Sequence, residues 1–317
     1  MSYTQLTQDE RYHAQHHPHQ PISQIAKELG RSKSTISREI KRNSQNGRYN
    51  AAEAARQSTH RTSRRQAYKL APALCRSINK LVWEKLSPEQ ICGYLAKHHC
   101  IRLHQATIYR HLARNRAKGG KLWQHLRIAS KPYRKRRGSI WTRGKVPDRT
   151  DISRRSNIIN KKQRIGDWEA DTIVGKGQKS VLLTLVERRS KYLIVARLNG
   201  LTAEETATAM IKAFKKYRPK VHSITMDNSK EFYRHMKAAE ALDAKTYFCR
   251  PYHSWEQGLN ENTNGLIRQY FSKGTDFNEI SDAQIRRVQQ ALNSRPRKTL
   301  GYKTPNEVFL GRLVRLI

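Results

Sequence analysis

The sequence predicts a multidomain protein, two all-α units followed by an α/β domain, and three observations carry that expectation. Apolar residues recur at three- and four-residue intervals through the first 120 positions and change to alternation from about Gly166. Helix-capping and turn residues punctuate the helical stripes in two places. Basic side chains crowd the middle, 21 against 3 acidic ones between residues 65 and 150. A length of 317 residues exceeds one typical domain. The expected boundaries are an N-terminal unit at 1–64, a second helical unit at 65–120, a basic connector at 121–160 and an α/β domain at 161–317.

The first unit reads as a helix-turn-helix. Thr7 followed by Glu10 is a capping-box start. Ile22, Ile25, Ala26 and Leu29 mark one face of a short helix that Gly30 ends. Ser32 caps the next helix, which buries Ile36 and Ile40 and leaves Lys33, Ser34, Ser37, Arg38 and Lys41 outside. Those five suit base edges and phosphates in a DNA major groove.

A similar unit recurs. Leu74, Ile78, Leu81 and Val82 imply a helix. Ser87, Pro88 and Gln90 then give an N-cap, a first-turn proline and a capping-box partner, with Ile91, Tyr94 and Leu95 on one face. Thr107, Ile108, Tyr109 and Leu112 form a further helix whose outward residues include Gln105, Arg110 and Arg114. Two such readers in tandem span a longer DNA site than one. His98, His99, Cys100 and His104 do not match common zinc spacing, and the cluster of His13, His16, His17 and His19 reads as a polar helix end. From Lys131 through Arg137 to Arg149 the chain is basic and without periodicity, either an extended linker that tracks a DNA backbone or a solvated charge run.

In the α/β part, Trp168–Val174, Val181–Val186 and Tyr192–Leu198 read as three short strands with hairpin-like connections. A helix over Ala203–Tyr217, a strand over Val221–Met226, a helix near Glu231–Leu242, a strand over Lys245–Phe248 and a helix carrying Glu261 follow. The order βββαβαβα is that of the ribonuclease H-like fold, in which the first and fourth strands lie side by side. That topology brings Asp171 and Asp227 together. The stripe of Ile285, Val288, Ala291 and Leu292 either joins an interface between copies or covers its own sheet.

Lys plus Arg number 63 against 25 Asp plus Glu, a formal charge of +38, the electrostatic footprint of a nucleic-acid binder. No run approaches a membrane span, and the N-terminal residues lack the apolar core of a signal peptide. A cytoplasmic, nucleoid-associated protein is expected. Four cysteines without a CxxC pair indicate neither a zinc ribbon nor a disulfide framework. Against this cationic background Asp171, Asp227 and Glu261 are carboxylates on rigid elements, able to share divalent cations with substrate phosphate oxygens. Alternation turns Asp167, Glu169 and Asp171 to one strand face, so periodicity cannot choose among the three. Glu231 reads as a helix start or a partner of Lys230 or Arg234, and Glu256 contends with Glu261. Trp255 and Tyr252 stack on a base near the cleavage point or pack in the core, the commoner fate.

Gly166-Asp167-Trp168-Glu169-Ala170-Asp171-Thr172, Asp227-Asn228-Ser229-Lys230-Glu231-Phe232, Gln257-Gly258 through Glu261 to Asn264, and Arg295-Pro296 with Leu300-Gly301-Tyr302 and Thr304-Pro305 together resemble bacterial insertion-sequence transposases of the retroviral-integrase superfamily, the insertion-sequence-thirty family in particular. The resemblance covers nearly the whole chain. It implies that Asp171, Asp227 and Glu261 are a DDE triad holding two Mg²⁺ or Mn²⁺ ions. It implies double-stranded DNA as partner, both the terminal inverted repeats of a mobile element and the target, with a homo-oligomer assembled on it. Cleavage and strand transfer then follow by two-metal phosphoryl transfer, with Asn228, Lys230, Asn264 and Arg268 positioning phosphates. One departure is that Ser229 stands where related chains often carry Gly, which alters a turn beside the acids. Two rival functions are a sequence-specific DNA-binding repressor, which leaves the placed acids unexplained, and a ribonuclease H-like nuclease without joining activity, which leaves the two readers unexplained.

Overall fold

The structure, a computed structural model, describes residues 5–127, 146–178, 180–251 and 253–317. Most of the basic connector from Lys131 onward, and Tyr252, lie outside the described residues. Contacts divide the chain into two compact units, Met1–Arg76 and Ser77–Ile317.

The first unit contains α1 (Gln8–His16), α2 (Ile22–Glu28), α3 (Lys33–Asn43), a small hairpin of β1 (Ser44–Gln45) and β2 (Arg48–Tyr49), and α4 (Ala51–Lys69). The Thr7–Glu10 capping box is present at both ends, with hydrogen bonds of 3.2 and 2.6 Å. Leu6, Ala14, Ile25, Ala26 and Ile36 form the core. Ile40 is only half-buried, at its margin. Gly30, at φ +59°, makes the turn between α2 and α3, and a Cβ there would meet nothing within 4 Å. The glycine therefore answers a backbone requirement and not a crowded site. Arg31 next to it reaches Glu10 at 2.7 Å, tying the turn to α1.

In the second unit α5 (Pro72–Trp83, whose first residues belong to the other unit), α6 (Pro88–His99) and α7 (Gln105–Ala117) repeat the three-helix pattern. Ile78, Leu81, Val82, Ile91, Tyr94, Leu95, Ile108 and Leu112 are buried. Tyr109, expected on the inner face, is 51 % exposed instead. Ile108 and Leu112 are four apart and share a stripe, whereas Tyr109 is rotated about 100° from Ile108 and faces out. His98 and His99 pack against the Tyr94 ring at 4.7 and 5.7 Å, and His104 caps α7 through its Nδ1.

The α/β part begins with α8 (Asn157–Asn160) and continues through β3 (Asp167–Val174), β4 (Val181–Glu187), β5 (Leu193–Leu198), α9 (Ala203–Phe214), β6 (Ser223–Met226), α10 (His235–Leu242), β7 (Lys245–Phe248), α11 (Gly258–Ile267), α12 (Asp282–Asn293) and α13 (Pro305–Leu310). The sheet order is β5-β4-β3-β6-β7, antiparallel through β5, β4 and β3, and parallel from β3 through β6 to β7. This is the ribonuclease H-like arrangement that the element order predicts. The segment around Glu231 is a 3₁₀ turn at Lys230–Phe232, and the helix proper starts only at His235.

Alternation sorts the strands onto two cores. Trp168, Ala170, Leu183, Leu185, Met210, Phe214, Ile224 and Met226 pack on the α9 and α10 side. Ile173, Leu182, Val186, Leu193, Leu266, Ile267, Ile285, Val288 and Leu292 pack on the α11 and α12 side. The α12 stripe therefore covers its own sheet. Asn293 also donates to and accepts from the Leu193 backbone at 2.8 Å, and Gln289 accepts from the Val195 amide at 2.8 Å. Side chains of α12 thus close the free edge of β5, which otherwise invites pairing with another strand.

The helical trio α5–α7 docks on the α/β part. Gln90 donates to the Pro296 carbonyl at 3.0 Å, Lys298 reaches Glu89 at 2.6 Å, and the Tyr94 hydroxyl accepts from the Leu316 amide at 2.8 Å. At the centre Gly93 lies flat on the Tyr302 ring, so close that a Cβ would fall 2.1 Å from its Cδ1. Gly93→Ala is expected to lower stability by about 1–3 kcal/mol through overpacking. A denaturant melt with unchanged midpoint would refute the tight seating.

Candidate active site

The site forms where two parallel strands part. The β3–β6 ladder ends at the pair Glu169–Thr225, and two residues further on each strand stand Asp171 and Asp227. Gln257 fills the opening, donating through Nε2 to the carbonyls of Ala170 and Thr225 at 3.3 and 3.2 Å. Both acids are thereby held side by side at the carboxyl end of β6, where open α/β sheets place their ligands.

Each acid on this face of β3 has different company. Asp167 is fully buried, bonded to Arg164 at 3.0 Å and to the Ser223 hydroxyl at 2.6 Å. Glu169 is buried against Arg188 at 2.7 Å and also accepts from the Asn260 amide at 3.2 Å. That amide lies in the first turn of α11, where a helix leaves its N–H groups unpaired. Glu169 thus fixes α11 to the sheet. Asp171 accepts from the Thr172 amide at 2.8 Å and from Asn264 Nδ2 at 2.7 Å. Loss of water around it, and next the charge of Asp227, push its pKa up to about 7. A carboxyl in that condition takes up a cation in place of its proton.

Asp227 is oriented by Ser229, whose amide and hydroxyl donate to its two oxygens at 3.1 and 2.6 Å. The serine that departs from the related pattern supplies a hydroxyl that glycine lacks. Glu231 enters the site unforeseen. Its carboxylate accepts from the Thr172 hydroxyl at 3.0 Å, and its charge adds to the upward pressure on Asp171. Arg234, one of its expected partners, lies 3.9 Å from Glu204 instead. The spacing from Asp227 carried a signal, since a residue four positions past it, in a tight 3₁₀ turn, returns over the same edge.

Glu261 is exposed in the first turn of α11, one turn before Asn264. Residues three apart share a helix face, so Glu261 stands on the side that meets Asp171. Among the described residues no three His, Cys, Asp or Glu side chains are close enough together to hold a metal ion. Like charges gain nothing by converging on their own. The backbone of α11 is pinned to Glu169 through the Asn260 amide. Glu256 is taken by Arg250 at 2.8 Å.

The Integrase core domain family matches residues 161–254, and a Helix-turn-helix domain family matches residues 2–43. The chain is 42% identical over 309 residues to the transposase for insertion sequence element IS4351 of Bacteroides fragilis, covering 96% of this chain and 95% of that one. It is also 37% identical over 302 residues to transposase InsI for element IS30A of Escherichia coli K12, covering 91% of this chain and 78% of the other. The chain belongs to the insertion-sequence-thirty family of transposases. The catalytic core domain of BIV integrase aligns with 47% of this chain and 95% of that chain at 20% identity and a TM-score of 0.37.

The remaining expected contacts of the transposase divide into two groups. Lys33, Ser34, Arg38 and Lys41 are exposed on α3 with Ser37 half-buried among them, and Gln105, Arg110 and Arg114 are exposed on α7. Lys230 is exposed beside Asp227. Three others also hold partners within the protein. Asn228 is buried, accepting from Arg149 at 2.6 Å and donating to the Cys249 carbonyl at 2.5 Å. Arg268 donates to the carbonyls of Val174 and Ser272 at 2.7 and 3.1 Å. Asn264 orients Asp171 and also accepts from Thr184 at 3.1 Å. Trp255, expected in the core, is 67 % exposed and packs against His253 at a tilt, with ring centres 4.4 Å apart.

Proposed function

We propose that this chain binds the terminal inverted repeats of its own mobile element and catalyses DNA strand cleavage and strand transfer, with Asp171, Asp227 and Glu261 as the acids of its active site. The observation that carries the reading is the Asp171–Asp227 pair, two carboxylates forced together beside a parted sheet. Their all-oxygen donor chemistry suits Mg²⁺ or Mn²⁺, and Glu261, on the helix whose Asn264 holds Asp171, is the third acid of the proposed set. A bound pair of such ions neutralises charge on the scissile phosphate and activates the attacking water or 3′-hydroxyl.

The protein's own part is positioning. Asn264 and the Thr172 amide hold Asp171, Ser229 holds Asp227, and Glu169 sets the helix that carries Glu261. Exposed residues of α3 and α7 read duplex DNA, where phosphate contacts fix register and base contacts fix sequence. Lys230 adds positive charge at the mouth of the site. Trp255, exposed on the turn leading into α11, offers its ring to an unpaired base at the cut. Trp255→Ala is expected to weaken binding of a nicked or frayed end by about 1–3 kcal/mol while intact duplex binds as before. Equal losses on both substrates would refute the stacking role.

One assay separates this reading from repression and from simple nuclease action. The protein is mixed with Mg²⁺ and labelled element-end DNA. Cleavage followed by joining supports the proposal, binding alone supports a repressor, and cleavage without joining supports a nuclease.

A further inference from the structure

A second cluster lies away from the acids and is made of cations alone. The carboxyl end of α11 continues into Gln269 and Tyr270, and both are surrounded by basic side chains. Lys85 donates to the Gln269 carbonyl at 2.6 Å and sits 4.3 Å above the Tyr270 ring. Arg295, only 2 % exposed, donates to Gln269 Oε1 and to the Tyr270 hydroxyl, each at 2.9 Å. Arg297, half-buried, donates to the Leu292 carbonyl at 3.2 Å. Arg127, exposed, reaches Asn262 at 3.2 Å and lies against Gly265, one α11 face down from Gln269.

Among the described residues, the hydrogen-bond and ring partners of these four are all neutral. The Nε atoms of Arg295 and Arg297 are buried with no hydrogen-bond partner. Lys85 and Arg297 are both pushed below their usual pKa, by desolvation first and then by Arg295, and Arg297 falls to about 9. Among the acids, the charge of exposed Glu84 reaches Arg295 with less effect than that of Arg127. Buried charge without a counter-charge is costly, so this arrangement calls for an anion from outside.

We propose that Lys85, Arg127, Arg295 and Arg297 form a phosphate-binding site for the DNA backbone, distinct from the acid pair, with Arg295 as its floor and the other three as its rim. The proposal rests on the DNA-transposing function argued above and adds a fixed second grip to it. From Glu261 to the end of α11 at Ile267 the chain rises about 9 Å along the helix, roughly two to three base-pair steps of duplex. The site also joins the helical trio, which supplies Lys85 and leads to Arg127, to the α/β part, which supplies the two arginines. A phosphate bound there would hold reader and acids in one register.

The test uses the full chain and an element-end duplex in EDTA, so that binding is measured without cleavage. Replacing single phosphates by neutral methylphosphonates should reveal one or two adjacent positions where the wild type loses about tenfold in affinity and Lys85→Gln/Arg127→Gln loses nothing further. The salt dependence of the double variant should be shallower by about 0.9 per phosphate contact removed. Equal sensitivity of wild type and variant at every position would overturn the site. Should the double variant fold poorly, Arg127→Gln alone, at an exposed position, gives the same comparison. Strand joining by the wild type in Mg²⁺ is scored separately: joining with no such phosphate position sinks this site only, while binding without joining counts against the proposed function whatever the scan shows.

Discussion

Asp171→Asn is expected to abolish strand cleavage while element-end binding is kept, and to make the metal-free protein more stable at pH 8. The first effect follows from removal of a cation-binding oxygen beside the scissile phosphate. Metal charge stabilisation is worth several kcal/mol, so the loss is on the order of a thousandfold or more. The second follows from linkage. Asp171 has a folded pKa of about 7 against an ordinary value of 3.8, so between those values the folded state holds more protons than the unfolded one. Its favourable contribution is complete below the lower value and is lost as pH rises through the upper. Asparagine never ionises and escapes that loss, gaining roughly 1–3 kcal/mol at pH 8 after allowance for solvent screening. At pH 4 the gain should vanish. Thermal melts of both proteins in EDTA across that range check the sign, and a wild type more stable at pH 8 than at pH 5.5 relative to the variant would contradict it. Asp227→Asn should also abolish cleavage and, by removing a neighbouring charge, should lower the pKa of Asp171.

How much of this was legible in the sequence depends on how local each cause is. The sheet could be read because the strand segments alternate or run apolar, and alternation at Trp168 and Ala170 against Asp167, Glu169 and Asp171 places the acids on one face without any tertiary information. Which of the three the fold engages elsewhere could not be read from periodicity, because the answer lies with Arg164, Arg188 and Asn260. Arg188 and Asn260 are 19 and 91 residues from Glu169. The same distance problem hid Gln257, a side chain that looks like part of a polar run until the two strands it bridges are brought beside it. Asn228 and Arg268 pose a related problem. A polar residue near a candidate acid suits a phosphate contact and a brace within the fold equally, and its tertiary partners cannot be read from the sequence. Trp255 shows the reverse error, since an aromatic in a loop is assigned to the core on composition and is found on the surface. Tyr109 is a failure of period alone, one position off the buried stripe.

Arg188→Ala is expected to cost about 3–5 kcal/mol of stability, the toll of leaving one member of a buried ion pair alone. Glu169 is already held above the ordinary carboxylate range by desolvation, with Arg188 the largest influence opposing that rise. Without the guanidinium the acid must take up a proton or draw in water. Either way its grip on the Asn260 amide weakens, because a neutral carboxyl is a poorer acceptor than a carboxylate. The consequence reaches the site through geometry, since α11 carries both Glu261 and the Asn264 that holds Asp171. Cleavage should therefore fall by more than the loss of folded protein explains. The double variant Glu169→Leu/Arg188→Met separates the two effects. It replaces the pair by apolar side chains of similar volume, an exchange that is often neutral for stability, yet it leaves the first turn of α11 without its carboxylate. Stability near that of the wild type together with cleavage still reduced would assign Glu169 to positioning of the helix. Full recovery of both would show that the ion pair serves the fold alone.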